Sequence, residues 1–263
     1  MISEKINFNQ INYNLSKKGF EVIKNFFSKK LTDSYYEKIM SKKIISNNPS
    51  KFHGSAGLLY NLQNKDVIFL KLIFNKTINK ICQNYFKIGS YFEDKNIYQF
   101  DGLHSRVLFG KNKPQNLHID SRICGVYPPT HLHFFLYLKD VKLMDGPTQI
   151  VPYSHKICRY PNNNDKKRAI KILGEAGTLI VINSSLWHGS SEKKSNSSRA
   201  IITLSFSRWH IRQPFAVPYG LPRKLKNYLN SKQKKILGYE NYPDSTEQRR
   251  LRMRGKLPNL IIK

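Results

Sequence analysis

From about residue 98 onward the chain is a succession of short β-favouring runs cut apart by turn chemistry, and this texture limits the fold more than any other feature. LHSRVLFG, NLHID, THLHFFLYLKD, PTQIVPY, GTLIVIN and RAIITLSFSRWHI are separated by GKNKP, YPP, MDGP, PNNND and SEKKSN. Short strands at such spacing build an all-β sandwich or barrel. The run THLHFFLYLKD shows the packing scheme. Side chains alternate across a strand, so Leu132, Phe134, Leu136 and Leu138 share one face, and His131, His133, Phe135 and Tyr137 share the other. The first face is core. The second suits the lining of a cavity.

Upstream the pattern is helical. Residues 15–40 carry apolar side chains at mixed three and four spacing, with Thr32 or Asp33 as an N-cap before SYYEKIM. Within them GFEVIKNF holds the β-favouring Phe20, Val22 and Ile23 and can form a short strand instead. Residues 63–86 predict the clearest amphipathic helix, with Ile68, Leu70, Leu72, Ile73, Ile78, Ile81 and Tyr85 apolar and Asp66 near its start. From Gln213 the chain is Lys/Arg-rich with proline breaks, which predicts a covering tail with one helix near 222–236. Helices first and strands later predict a mainly β fold braced on one side by N-terminal helices.

The composition is unusual in charge: 45 Lys+Arg against 17 Asp+Glu, formally +28. Such a chain is attracted to nucleic acid, anionic membrane surfaces or phosphorylated metabolites. The basic residues are spread out, however, and lysine accompanies abundant Asn and Ile, as an AT-rich coding bias produces. No RNP motif, zinc finger or long basic block is present. Nucleic-acid binding is therefore not the expected primary function, and the charge leans instead toward an anionic substrate or carrier. The N-terminus is polar and no run approaches the roughly 20 apolar residues of a membrane span. Cys82, Cys124 and Cys158 form no C-x-x-C, and an odd number argues against a disulfide framework. The expected compartment is the cytosol, and the sequence does not fix an oligomeric state.

The chemistry concentrates in NLHIDSR. In an extended segment His118 and Asp120 point the same way, able to hold a metal or to form a hydrogen-bonded pair. About seventy residues later an apolar strand, Leu179 to Ile182, ends in a turn presenting Trp187 and His188, and Arg199 opens the final strand. Two imidazoles and one carboxylate on one face of a metal leave three positions open, the arrangement of non-haem Fe(II) oxygenases. Arginine has the planar fork to grip a distal carboxylate through two charge-assisted bonds. A rival pairing, His131 with His133, is similar to the paired histidines of a cupin, but Phe-Leu-Tyr-Leu follows where a carboxylate would be needed.

These elements together resemble the phytanoyl-CoA dioxygenase-type Fe(II)/2-oxoglutarate oxygenases over most of the chain. LSKKGFEVIKNFFSKK is similar to the family's Gly-Phe-x-x-Ile opening, and His118-x-Asp120 to its metal motif. MDGPTQIVPYSHK resembles the family's Asn-Gly-Pro and Pro-Gly-Ser-His segment, with Asp145 for Asn and Tyr153 for Gly. Trp187-His188 followed by Arg199 matches the distal ligand and co-substrate clamp, and ILGYENYP resembles a Leu-Gly-Tyr near the family's C-terminus. The departure at Tyr153 leaves the conformation of that loop open, because Gly reaches positive φ freely and Tyr normally does not.

The resemblance implies a double-stranded β-helix (jelly-roll) in one oxygenase domain, 1–263, with a helical part at 1–97, a core at 98–212 and a tail at 213–263. It implies Fe(II) held by His118, Asp120 and His188, with O2 and 2-oxoglutarate as co-substrates and Arg199 on the C5 carboxylate. The implied reaction oxidises a small or carrier-bound substrate and releases succinate and CO2. Because Asp120 is present, hydroxylation is favoured over halogenation, whose family enzymes lack that carboxylate. His104 and Arg106 share a strand face and are candidates to touch 2-oxoglutarate or substrate, and His133, Phe135 and Tyr137 to line the cavity. His155 reads as structural, and the segment Ser46–Gly57 and the tail as covers. The rival readings are a β-helix protein that binds a ligand without catalysis, and a nucleic-acid-binding protein.

Overall fold

The alternation at 130–140 becomes strand β5 (His131–Tyr137) of a computed structural model that describes residues 6–41, 57–90, 97–121 and 123–241. β5 lies in a sheet with β1 (Phe20–Ile23), β2 (Leu58–Tyr60), β3 (Tyr98–Leu108), β8 (Leu179–Asn183) and β10 (Arg199–Arg208). A smaller sheet holds β4 (Gln115–His118), β6 (Thr148–Ile150), β7 (Ile170–Ile172) and β9 (His188–Ser190). The six-stranded order is β1-β8-β5-β10-β3-β2 and the four-stranded order β4-β9-β6-β7. Consecutive strands alternate between the two sheets from β3 to β6, and all the strand pairs are antiparallel. This is the jelly-roll expected from the sequence, widened at its edges by β1 and β2.

The two faces of the large sheet have different work. On the outer face Leu132, Phe134 and Leu136 join Phe100, Leu204 and Phe206 in one cluster with the helical layer. Phe134 and Phe206 meet edge to face at 5.9 Å between centroids. That layer contains α1 (Phe8–Lys17), α2 (Lys29–Met40), α3 (Val67–Ile73) and α4 (Lys76–Phe86). On the inner face Phe135, Tyr137, Ile180, Ile182 and Ile201 pack against Ile150 and Ile172 of the small sheet. The inner cluster fills one end of the sandwich and leaves the other to the polar side chains of β3, β5 and β10.

Local chemistry departs from the expected helices in definite ways. The run 63–86 is not one helix: it breaks at Phe74–Asn75, and Asn75 caps α4 by accepting from the Thr77 and Ile78 amides at 3.0 and 3.1 Å. The N-cap of α2 is Ser28, whose hydroxyl accepts from the Leu31 amide, and not Thr32 or Asp33. FEVI forms β1, the strand alternative, paired with β8. The expected tail helix is split into α6 (Arg223–Lys226) and α7 (Ser231–Ile236), preceded by α5 (Val217–Gly220). The cover expected at 46–57 lies outside the described residues except for Gly57.

Two backbone positions fasten the N-terminal layer to the core. At Gly177, φ is +94° and a Cβ would stand 2.0 Å from the Phe27 carbonyl oxygen, so only glycine permits the Phe27–Gly177 backbone bond. Tyr153 takes φ +69°, the left-handed conformation that its motif's glycine would take freely. Its amide donates to the Lys18 carbonyl at 2.9 Å, and His155 Nε2 donates to Ser16 at 3.1 Å, so this loop is tied to the end of α1. All the cysteines are free, although Cys124 and Cys158 approach to 3.5 Å. Among the described residues no helix is long and apolar enough to cross a membrane.

Truncating the outer-face core should be expensive. Phe134→Ala is expected to lower the unfolding free energy by about 3–5 kcal/mol in urea titrations. Leu143→Ala, at a side chain 53% exposed, should stay within about 0.5 kcal/mol of the parent.

Candidate metal centre and active-site chamber

Pairing of β4 with β9 sets His118 directly opposite His188. Asp120 follows the end of β4, and its amide and that of Ser121 both donate to the Ser184 carbonyl at 3.1 Å, which turns the carboxylate back over the two imidazoles. His118 Nε2 lies 3.5 Å from Asp120 Oδ1, and His188 Nε2 lies 3.4 Å from Oδ2. One donor atom from each of the three residues falls within 4.8 Å of the others. Residues seventy apart in sequence thus converge on one point.

The donor set fits a metal. His118 Nδ1 is 3.0 Å from the Asn116 carbonyl oxygen and His188 Nδ1 is 3.0 Å from that of Leu186. A carbonyl can only accept, so both Nδ1 atoms carry the proton and both Nε2 lone pairs are left facing Asp120. Burial pushes the Asp120 carboxyl up, but His188 and His118 outweigh it and hold the group well below the usual carboxylate range. Burial likewise opposes the charged form of His118, yet Asp120 and the Asn116 carbonyl raise it above the ordinary imidazole value. An ionised carboxylate with two fixed imidazoles is what a hard-to-borderline divalent cation requires.

Arg199 opens β10 at the deep end of the inner face, opposite Leu108, and is 6% exposed. Its Nη2 reaches Thr148 Oγ1 at 3.4 Å and its Nε has no hydrogen-bond partner. Among the described residues no carboxylate pairs with it, so a buried guanidinium stands without a counter-ion. Arg106 lies opposite Ile201, facing the same side, and donates to Gln115 at 3.4 Å. Asp145, which stands for the motif's Asn, accepts from Ser195 and Ser197 at 2.5 Å and from the Lys142 amide at 2.8 Å. Those bonds pin the loop leading into Arg199.

The remaining candidates separate along the same face. His133 Nδ1 is 2.6 Å from Ser205 Oγ and its Nε2 is 3.7 Å from Asp120 Oδ2, which places it beside the metal triad. Phe135 packs on His188 with centroids 5.6 Å apart. Tyr137 is fully buried, donating to the Ile172 carbonyl at 2.9 Å and accepting from the Thr148 amide at 3.4 Å, so it belongs to the Arg199 end and does not face open space. His104 packs at a tilt against Tyr60 with centroids 5.6 Å apart, and Tyr60 likewise against Phe215 at 5.9 Å. Burial lowers His104 and His133 to about 4, against the pull of Asp120, so both are neutral at pH 7. His131 stacks on His133 at 6.3 Å, outside the triad of donor atoms, so the cupin-like pairing is not formed.

Sequence reasoning missed Thr148, Tyr60, Phe215 and Asp101. Asp101 is 8% exposed, and burial pushes its carboxyl up to about 6 against the Ser207 hydroxyl, which lowers it. Its signal was hidden because strict alternation would place it with Leu103 on the outer face.

A jelly-roll with two imidazoles and a carboxylate between its sheets, and an uncompensated arginine beyond them, defines the class of non-haem iron, 2-oxo-acid-dependent oxygenases. A family model described as Phytanoyl-CoA dioxygenase (PhyH) matches residues 15–201, and the chain belongs to that family, whose members use Fe(II), 2-oxoglutarate and O2. Dioxygenase FUM3 of Gibberella moniliformis (strain M3125 / FGSC 7600) is 26% identical over 124 residues, 43% of this chain and 41% of the relative. Dioxygenase cdmD of Talaromyces verruculosus is 24% identical over 178 residues, 63% of this chain and 55% of the relative. The chain therefore spans about half the length of the curated relatives it matches. In fold it is similar to HygX from Streptomyces hygroscopicus with nickel and 2-oxoglutarate bound (TM-score 0.61, 13% identity, 78% of this chain and 88% of that one). It is similar also to apo EctD from S. alaskensis (TM-score 0.63, 15% identity, 83% and 84%).

The buried Asp101 carries a pH signature. Its folded value of about 6 exceeds the unfolded value of ~3.9, so its contribution to stability is fully present below pH ~4 and is lost as pH rises through 6. His104 and His133 act in the opposite sense, and both proteins share them. The unfolding free energy of Asp101→Asn minus that of the parent is expected to grow by on the order of 3 kcal/mol between pH 4 and pH 7. Urea unfolding at both pH values measures it.

Proposed function

We propose that this chain is an Fe(II)/2-oxoglutarate-dependent hydroxylase of a small or carrier-bound substrate. The observation that carries the reading is the convergence of His118 and His188 Nε2 with the Asp120 carboxylate, one sheet layer from the buried and uncompensated Arg199. His118, Asp120 and His188 would hold the iron, which when bound supplies the redox chemistry of O2. Arg199, with Thr148 beside it, would accept the distal carboxylate of 2-oxoglutarate, since a planar guanidinium can donate two parallel bonds to it. The overall change balances as substrate C–H plus O2 plus 2-oxoglutarate giving substrate C–OH, succinate and CO2.

The protein's own contributions are positional. The Asn116 and Leu186 carbonyls orient the imidazoles. The inner cluster of Phe135, Ile180, Ile182 and Ile201 keeps water from the deep side. Hydroxylation is favoured within the class because Asp120 would supply the metal with a carboxylate ligand where halogenating enzymes have none.

Anaerobic addition of Fe(II) and 2-oxoglutarate to the metal-free protein should give the charge-transfer absorption of the metal–2-oxoglutarate chelate. His118→Ala is expected to abolish the band. Arg199→Ala should weaken 2-oxoglutarate binding about 100-fold, the scale for removing one partner of a buried charge pair. A parent protein that binds no iron and shows no band would refute the reading in favour of ligand binding without catalysis. An unchanged 2-oxoglutarate affinity in Arg199→Ala would refute the assignment of that residue.

A further inference from the structure

The inner face of the large sheet is segregated by charge. Arg106 and Arg199 occupy its deep end, opposite Ile201 and Leu108. At the other end β3 bulges against β10: Ser205 stands opposite Gly102 and Phe206 opposite Phe100, leaving Asp101 with no residue opposite. A bulge interrupts the in-and-out alternation, so Asp101 comes to the inner face together with Gly102 and His104. Its hydrogen bond from Ser207, on the same side of β10 as Ser205, agrees with that placement. Five residues along β3, roughly 15 Å, separate Asp101 from Arg106.

Asp101 is a buried carboxylate without a cation. Its Oδ1 has no hydrogen-bond partner, and no charged group pairs with it among the described residues. Leaving a carboxylate in that state costs several kcal/mol, a cost that a ligand cation would remove. The space before it is open: a Cβ built on Gly102 meets nothing within 4 Å. The edge of the chamber beyond β3 is aromatic: Tyr60, opposite His104 in β2, packs on His104 and on Phe215, and the two aromatic side chains are 43% and 40% exposed. Aromatic faces attract cations as well. Gly102 and His133 are both register partners of Ser205, two strand spacings or roughly 10 Å apart.

We propose that the substrate is a cationic amine whose ammonium group docks on Asp101, on the side of the chamber walled by the Tyr60–Phe215 pair, several bonds from the carbon presented to the metal. This rests on the oxygenase reading above, and it departs from the anionic substrate that the net charge of +28 suggested. The two ends of the chamber then take ligands of opposite sign: a dicarboxylate at Arg199 and an ammonium at Asp101.

The test uses three probes of one shape, cyclohexylammonium, cyclohexanol and cyclohexanecarboxylate, in saturation-transfer NMR at neutral pH, with 2-oxoglutarate present to occupy Arg199. The parent is expected to bind the ammonium in preference to the other two. Asp101→Asn should weaken it about tenfold or more, and Asp101→Glu should recover part of the loss. Should Asp101→Asn fail to fold, Phe215→Ala on the exposed wall serves instead, with the ammonium weakened more than the alcohol. Equal binding of ammonium and alcohol, no ammonium binding, preference for the carboxylate, or ammonium binding indifferent to these variants would overturn the proposal. The chelate absorption, recorded on the parent, separates the two ideas. A band without ammonium preference overturns the substrate class alone, and ammonium preference without a band overturns the oxygenase reading, and with it the role of the amine as substrate, while keeping Asp101 as the ammonium site.

Discussion

The register of β4 against β9 is the constraint on which the site depends. With a side-chain period of two, a slip of one residue would turn His118 away from His188 and carry Asp120 out of reach. Yet β4 has only four residues and an irregular ladder, too little to hold a register by backbone bonds alone. The missing specification comes from behind. Ile119, which alternates against His118 and Asp120, packs with Val151 and Trp187 in a small apolar cluster. Trp187 is in turn fixed on both sides, its amide donating to Ser154 Oγ at 2.8 Å and its carbonyl accepting from Val151 at 2.9 Å. The apolar residues interleaved with His118, Asp120 and His188 therefore position the candidate metal site as much as those three residues do.

The large sheet adds a second layer of organisation. Its outer face buys stability through the helical layer, which frees the inner face to carry groups that no stable core would tolerate unaccompanied. Arg199 and Asp101 are both buried, and among the described residues neither has a partner of opposite charge, at opposite ends of the same surface. Between them stand neutral imidazoles and hydroxyls, His133 with Ser205 and His104 beside Thr203. A fold selected for stability alone would have paired or removed both charges. Their separation is the clearest sign that the chamber is shaped around ligands of two kinds.

The sequence made the fold legible where one rule governs a whole segment. Alternation in THLHFFLYLKD separates core from chamber, and the order of His118, Asp120, His188 and Arg199 singles out in the sequence the candidate residues that the fold brings to one chamber. Legibility ends where a single residue overrides its neighbours. Asn75 divides an apolar run that reads as one helix, because its side chain offers the amides that follow a better acceptor than the helix does. Tyr153 holds a left-handed conformation because its amide is claimed by Lys18. Asp101 faces the chamber only because β10 is one residue shorter than β3 across their pairing. None of these is a property of composition or period.

The same distinction governs charge. A net charge of +28 describes a surface on which lysines stand in water, and it acts on encounter and solubility over a Debye length. It says little about a chamber shielded by two sheets, where a few desolvated groups outweigh many exposed ones. Lys193 illustrates the point: it is 1% exposed, yet its ammonium is satisfied locally by the Ser195 carbonyl at 2.7 Å and hydroxyl at 3.0 Å. That lysine shapes the loop before Arg199 and leaves no charge free for a substrate. The ligand preference of this protein is therefore to be sought in the buried charges left unsatisfied, and not in the sum over the chain.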